Sequence, residues 1–153
     1  AALDLAESLL DREGLRKDAA MAAEAIRSNF YKATASVNDA TALNAIDGEI
    51  KTFWDTGAMQ SPGQWIEIDM SRPARIKGVV LDNSRSKEHF PRSYSVYVYS
   101  NGTERGAPVA TGAGTAGVTT IDFDAVTGEL VRIELTTTAD VDWKIHELRV
   151  VPD

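Results

Sequence analysis

The chain has no cysteine, which excludes disulfides, a thiol nucleophile and any thiolate-held zinc. Only two histidines are present, His89 and His146, and no Gly-x-Ser-x-Gly elbow occurs, so the usual means of activating a nucleophile are scarce. No apolar run approaches the roughly 20 residues that a membrane-spanning helix needs. Positive charge is short as well: 16 Lys and Arg against 23 Asp and Glu give a net charge of -7. Nucleic-acid affinity comes largely from neutralising phosphates, so nucleic acid is not an expected partner. The missing cysteines leave the compartment open. The chain starts Ala1-Ala2 with no visible signal peptide, and it reads as a piece of a longer polypeptide.

At 153 residues one main domain is expected, with room for a short appendage. Residues 1–30 are rich in Ala and Leu, and Leu15, Ala19, Ala22, Ile26 and Phe30 follow helical spacing. They predict a helical hairpin broken at Asp11–Gly14, which needs a neighbour to cover its apolar stripe and is similar to a terminal HEAT-type repeat. Residues 31–153 change to short β-rich runs between turn residues. The expected strands are Lys32–Val37, Trp65–Met70, Ile76–Leu81, Tyr94–Ser100, Val118–Phe123, Leu130–Thr136 and Ile145–Val151. With no helices between them, these runs point to a sandwich or barrel. Asn101-Gly102 predicts a hairpin turn because both residues tolerate positive φ, which also accounts for the Asn101-Gly102-Thr103 acceptor triplet.

Gly112, Gly114 and Gly117 spell Gly-x-Gly-x-x-Gly. A dinucleotide site would need a helix starting inside the glycines, but Val118-Thr119-Thr120-Ile121 follows, and a loop between strands is expected. Asp47, Gly48, Glu49 and Thr52 place two carboxylates, a turn glycine and a hydroxyl in one short segment. These are hard oxygen donors of the kind calcium takes, without the EF-hand spacing.

Several pieces recur in order: Asn44 to Trp54, Gly63-Gln64-Trp65-Ile66-Glu67-Ile68-Asp69, Tyr94-Ser95-Val96-Tyr97-Val98, Asn101-Gly102-Thr103, Pro108-Val109-Ala110, Val131-Arg132-Ile133 and Trp143-Lys144-Ile145-His146-Glu147-Leu148. Over roughly residues 35–151 the chain resembles the discoidin, or coagulation factor 5/8 type C, superfamily, most of all carbohydrate-binding module family 32. The resemblance implies a mainly β, galactose-binding-domain-like jelly-roll sandwich, here preceded by the helical hairpin. It implies a non-catalytic module of a larger exported bacterial protein, extracellular or periplasmic, with upstream domains of the same polypeptide as partners.

It also implies one structural calcium. The ligands would be the Asn44 carbonyl, the Asp47 side chain, the Glu49 position, Thr52 through carbonyl and hydroxyl, the His146 carbonyl and the Glu147 carboxylate. A carbohydrate ligand is the implied partner. The family's sugar binders use a His just after the Trp54 position, an Arg and an Asn from a later loop, and an aromatic ring. Here Asp55 replaces that His, while Asn83, Arg85, Lys87, His89 and Phe90 occupy the loop and Trp143 could supply a ring. Trp54 and Trp65 are expected in the core and Arg92 in a structural role. The alternatives are a protein-interaction module on the same fold and a membrane-surface discoidin domain, the second opposed by the acidic charge.

Overall fold

The computed structural model describes residues 19, 21–23 and 30–153. Among the described residues eight strands follow one another: β1 (Lys32–Ala35), β2 (Trp54–Gln60), β3 (Trp65–Asp82), β4 (Tyr94–Tyr99), β5 (Ala110–Gly112), β6 (Val118–Leu135), β7 (Ala139–Ile145) and β8 (Glu147–Pro152). A 3-10 helix, Asp39–Ile46, joins β1 to β2. All pairs are antiparallel. A six-stranded sheet runs β1-β3-β6-β4-β5 with β8 also on β3, and β2 pairs with β7 in a separate ribbon. The mainly β jelly-roll sandwich expected from the sequence is the fold observed.

Strand text arises where inward and outward residues alternate. In β3, Ile66, Ile68 and Met70 are buried, while Trp65, Glu67 and Asp69 between them are half-buried. One core takes residues from every strand except β5, including Trp54, Ile66, Val79, Val96, Ile133, Trp143, Ile145 and Leu148, together with Ala42 and Ala45 of the 3-10 helix.

The sequence divides β3 and β6 into four strands; the structure joins them into two. The apparent break at Ser71-Arg72-Pro73 is a bulge. Asp69 pairs with Leu130 and the ladder resumes only at Ala74 with Gly128, while Ser71 takes φ 66°. A proline lacks an N–H, and the bulge is where none is needed. Gln60 on one side of β3 bonds the loop on its other side, through Nε2 to the Phe90 carbonyl at 2.8 Å and from the Arg92 N–H at 3.0 Å. β3 therefore leaves one end of the molecule, turns at the bulge and returns to the same end.

Strands β2, β5 and β7 were not anticipated, because Trp-Asp-Thr-Gly-Ala-Met-Gln and Ala-Asp-Val-Asp-Trp-Lys-Ile mix small and charged residues and lack a β-branched run. β1 ends at Ala35 rather than Val37. Asn101-Gly102 turns the chain with Thr103 N bonded to Ser100 O at 3.1 Å, but only Gly102 has positive φ, and the turn lies inside a longer connection. Trp65 is not core: it lies half-buried on the sheet's outer face with the Arg132 guanidinium 3.9 Å over its ring. The predicted helical hairpin falls mostly outside the described residues. Of its stripe, Ala19 is buried, but Ala22 is exposed where Ala23 is buried, and Phe30 is 73% exposed.

Candidate functional site

Two groups of predicted residues meet at the end of the molecule to which β3 returns. The first is the segment between the 3-10 helix and β2. Asp47 organises it: Oδ1 accepts from the Glu49 N–H at 2.9 Å, and Oδ2 accepts from the Thr52 hydroxyl. The Glu49 carbonyl accepts from Thr52 N at 3.2 Å and Oγ1 at 3.0 Å, while its side chain is exposed. Asn44 donates through Nδ2 to the Phe53 carbonyl at 3.1 Å. Glu147, at the start of β8, reaches across 99 positions of sequence to accept from Gly48 N at 3.3 Å.

Glu147 is 7% exposed, and its carboxyl is pushed up to about 7. Burial is the largest cause and the Asp47 charge adds to it; the Gly48 N–H and the Arg149 charge offset only part. A buried carboxylate facing a second carboxylate is an environment that a hard cation relieves. Among the described residues no three His, Cys, Asp or Glu side chains form a metal cluster. A cation here would therefore use Asp47 and Glu147 with the Thr52 hydroxyl and backbone carbonyls, and that donor set fits calcium chemistry.

The second group lies on the outer face of the β2–β7 ribbon and in the loop after β3. Asp55 pairs with Lys144 across the ribbon, with Oδ2 to Nζ at 3.2 Å. Lys144 Nζ also lies 3.4 Å from Asp142 Oδ2 and 4.3 Å over the Phe53 ring, so its donors are engaged. Asp142 Oδ1 meets His89 Nδ1 at 2.6 Å. The result is a continuous row, Asp55–Lys144–Asp142–His89. The His89 side chain is 33% exposed, and its Nε2 makes no hydrogen bond among the described residues. Arg85 and Lys87 are exposed on the same loop and form no ion pair among the described residues. Phe90 is half-buried and carries the Arg92 guanidinium 3.7 Å over its ring.

Two ligand candidates are corrected. Trp143 is 0% exposed and packs edge-on against Trp54, centroids 5.0 Å apart, because alternation in β7 turns its neighbours Asp142 and Lys144 outward and the ring inward. Asn83 is 3% exposed and donates to the His89 carbonyl at 2.8 Å, so it shapes the loop from inside and does not present its side chain at the surface. Asp142 and Lys144 were missed; their alternation with Trp143 was the available signal. The glycine motif serves packing: Gly114 sits where a Cβ would lie 2.3 Å from the Pro91 carbonyl, and Gly117 donates to the Lys87 carbonyl at 3.1 Å.

The Asp142 row predicts a pH effect. Burial alone raises the Asp142 carboxyl, but the His89 hydrogen bond and the Lys144 charge outweigh it, and the carboxyl ends below its ordinary value. A carboxyl depressed in the fold stabilises it above the unfolded titration range, and that stabilisation is lost as pH falls through the lowered folded value. Asp142→Asn is therefore expected to cost about 1 kcal/mol near neutrality and almost nothing in strong acid. Urea midpoints of both proteins across that range check it, and a gap that widens in acid contradicts it.

A comparison with curated proteins finds no match. Among solved structures, chitosan-binding module 1 of a chitosanase/glucanase from Paenibacillus sp. IK-5 is 26% identical, with 78% of this chain and 92% of that chain covered and a TM-score of 0.65. The family 32 carbohydrate-binding module of NanJ from C. perfringens, solved with galactose, shares the fold at 23% identity, 82% and 96% coverage and a TM-score of 0.70. The family 32 module of AlyQ, solved with 4,5-unsaturated mannuronic acid, does so at 23% identity, 78% and 92% coverage and a TM-score of 0.61. Residues 28–148 match the F5/8 type C domain model, and with the eight antiparallel strands already described this means that the chain belongs to the F5/8 type C, or discoidin, family.

Proposed function

We propose that this domain is a non-catalytic carbohydrate-binding module steadied by calcium and attached to other domains of an exported bacterial protein. The observation that carries the reading is the half-buried row Asp55–Lys144–Asp142–His89 on the outer face of the β2–β7 ribbon, with Arg85, Lys87 and the Phe90 ring on the loop that carries His89. Sugars present hydroxyls that need planar, charge-assisted partners and C–H faces that pack on rings. The two carboxylates keep unused lone pairs and His89 keeps a free ring nitrogen, so the row has hydrogen-bonding capacity left for a ligand. The similar solved structures are carbohydrate-binding modules, and the ligands of the three named above differ from one another, so the sugar is left to experiment.

A non-catalytic role agrees with the hydroxyl–imidazole contact in the chain. Ser86 Oγ lies 2.9 Å from His146 Nε2, but the other ring nitrogen meets the Ile50 carbonyl at 2.8 Å, not a carboxylate, and the ring is buried. That arrangement holds loops together and gives no base for a nucleophile.

A glycan array is expected to return a hit. His89→Ala and Arg85→Ala should each weaken it about tenfold or more, the cost of one charge-assisted hydrogen bond; Arg85→Ala should leave the melting curve little changed, while His89→Ala, which also removes the partner of Asp142, should lower it by a few degrees, about 3 °C. Silence across the array would remove the sugar reading. It would favour a protein-docking module, the alternative suggested by Arg92 already covering the Phe90 ring.

A further inference from the structure

His146 stands between the two groups of residues just described, and its connections are specific. Its backbone N–H donates to the Asp82 carbonyl at 3.1 Å, which fixes the residue at the junction of β7, β8 and the end of β3. Its ring is 4% exposed as part of the residue and is packed against Phe53, centroids 5.1 Å apart. Nδ1 lies 2.8 Å from the Ile50 carbonyl. A carbonyl only accepts, so Nδ1 carries a proton, and Nε2 shares a hydrogen bond with the Ser86 hydroxyl at 2.9 Å.

One buried ring thus touches the Asp47–Thr52 segment through Ile50 and the loop after β3 through Ser86. Ser86 is central to that loop. Its N–H donates to the Asn83 carbonyl at 2.8 Å, and its carbonyl accepts from the His89 N–H at 3.0 Å. His89, Arg85 and Lys87 are all within three residues of it.

We propose that His146 is a positioning residue that couples the two sites: calcium held at Asp47 and Glu147 fixes the Ile50 carbonyl, the ring follows it, and the Ser86 hydroxyl and its loop are held in the ligand-facing arrangement. This rests on the calcium reading above. It goes beyond stabilisation, because a stabilising ion raises the melting temperature whether or not it reaches the ligand loop. A coupling free energy is reciprocal, so a ligand that immobilises the loop tightens calcium by the same factor.

The test uses calcium ion alone as the probe, with amide hydrogen exchange at Ser86 and His89 read beside the melting temperature. In the wild-type protein calcium is expected to raise the melting temperature and to slow exchange at both amides by about tenfold, within the usual range of such couplings. Ser86→Ala should keep the rise in melting temperature and lose the slowing. Ser86→Thr, which keeps the hydroxyl, should restore it. A rise in melting temperature with no slowing in the wild-type protein would overturn the coupling and leave the calcium reading standing. No rise at all would overturn both. Slowing that survives in Ser86→Ala would overturn the route through His146.

Discussion

Trp143→Ala is expected to destabilise the domain by about 3–5 kcal/mol, the usual cost of removing a large buried ring. The sequence alone leaves this residue open, since an exposed Trp in this family would stack on a sugar. In the fold it is 0% exposed, as is Trp54, and the two rings meet edge to face at an interplanar angle of 85°. Such a contact adds roughly 0.5–1.5 kcal/mol beyond burial alone. Its backbone N–H still donates to Thr56 Oγ1 at 3.1 Å, so the strand pairing should survive and the loss should come from the cavity. The ring nitrogen Nε1 finds no partner among the described residues. Trp143→Phe removes that donor and is expected to cost clearly less than the alanine change. Urea titrations should show the midpoint falling with an unchanged slope. If Trp143→Ala instead left the midpoint within about 1 kcal/mol of wild type while abolishing glycan binding, the ring would be a ligand platform and its placement in the core would be wrong.

Chelation is the second large effect expected. An ion that binds only the folded chain at about 100 times its dissociation constant contributes roughly 2.7 kcal/mol, which for a domain of this size is a melting shift of roughly 10 °C. Glu147→Gln separates the ion from the fold. Its amide oxygen can still accept the Gly48 N–H, and it removes a charge from beside Asp47, so without calcium the variant should be at least as stable as wild type. With calcium it should gain little, and the two proteins should change order as calcium is added. Parallel responses to calcium, or an absence of bound metal by elemental analysis of the wild-type protein, would remove the site.

What could be read in the sequence was what repeats locally or recurs in order. The alternation in Trp65–Asp69 and Tyr94–Val98 predicts strands, and the ordered series from Asn44 to Leu148 predicts the family. Only the ordered series joins Asp47, Glu147 and His146; nothing local says that Glu147 accepts from Gly48. The failures share a cause. Whether Trp143 points inward depends on β7 being a strand, and β7 becomes one only by pairing with β2, itself too mixed in composition to announce a strand. Asp142 and Lys144 depend on the same pairing, since they face outward only where Trp143 faces inward. Pro73 reads as the end of a strand because a bulge that accommodates it depends on β6, more than 50 positions away in sequence.

That bulge also decides how the module is held. Phe30 is fastened to it by its carbonyl, which accepts from Ser71 Oγ at 2.8 Å. Asp153 is fastened beside it by its N–H to the Arg75 carbonyl at 3.1 Å and by its carboxylate to Arg75 Nε at 2.7 Å. Phe30 and Asp153 are thus both anchored within the few residues from Ser71 to Arg75. Seven strand residues, about 23 Å, separate Arg75 from Asp82, where the loop with Ser86 and His89 begins. Both anchors therefore lie at the opposite end of that strand segment from the loop proposed to face a ligand.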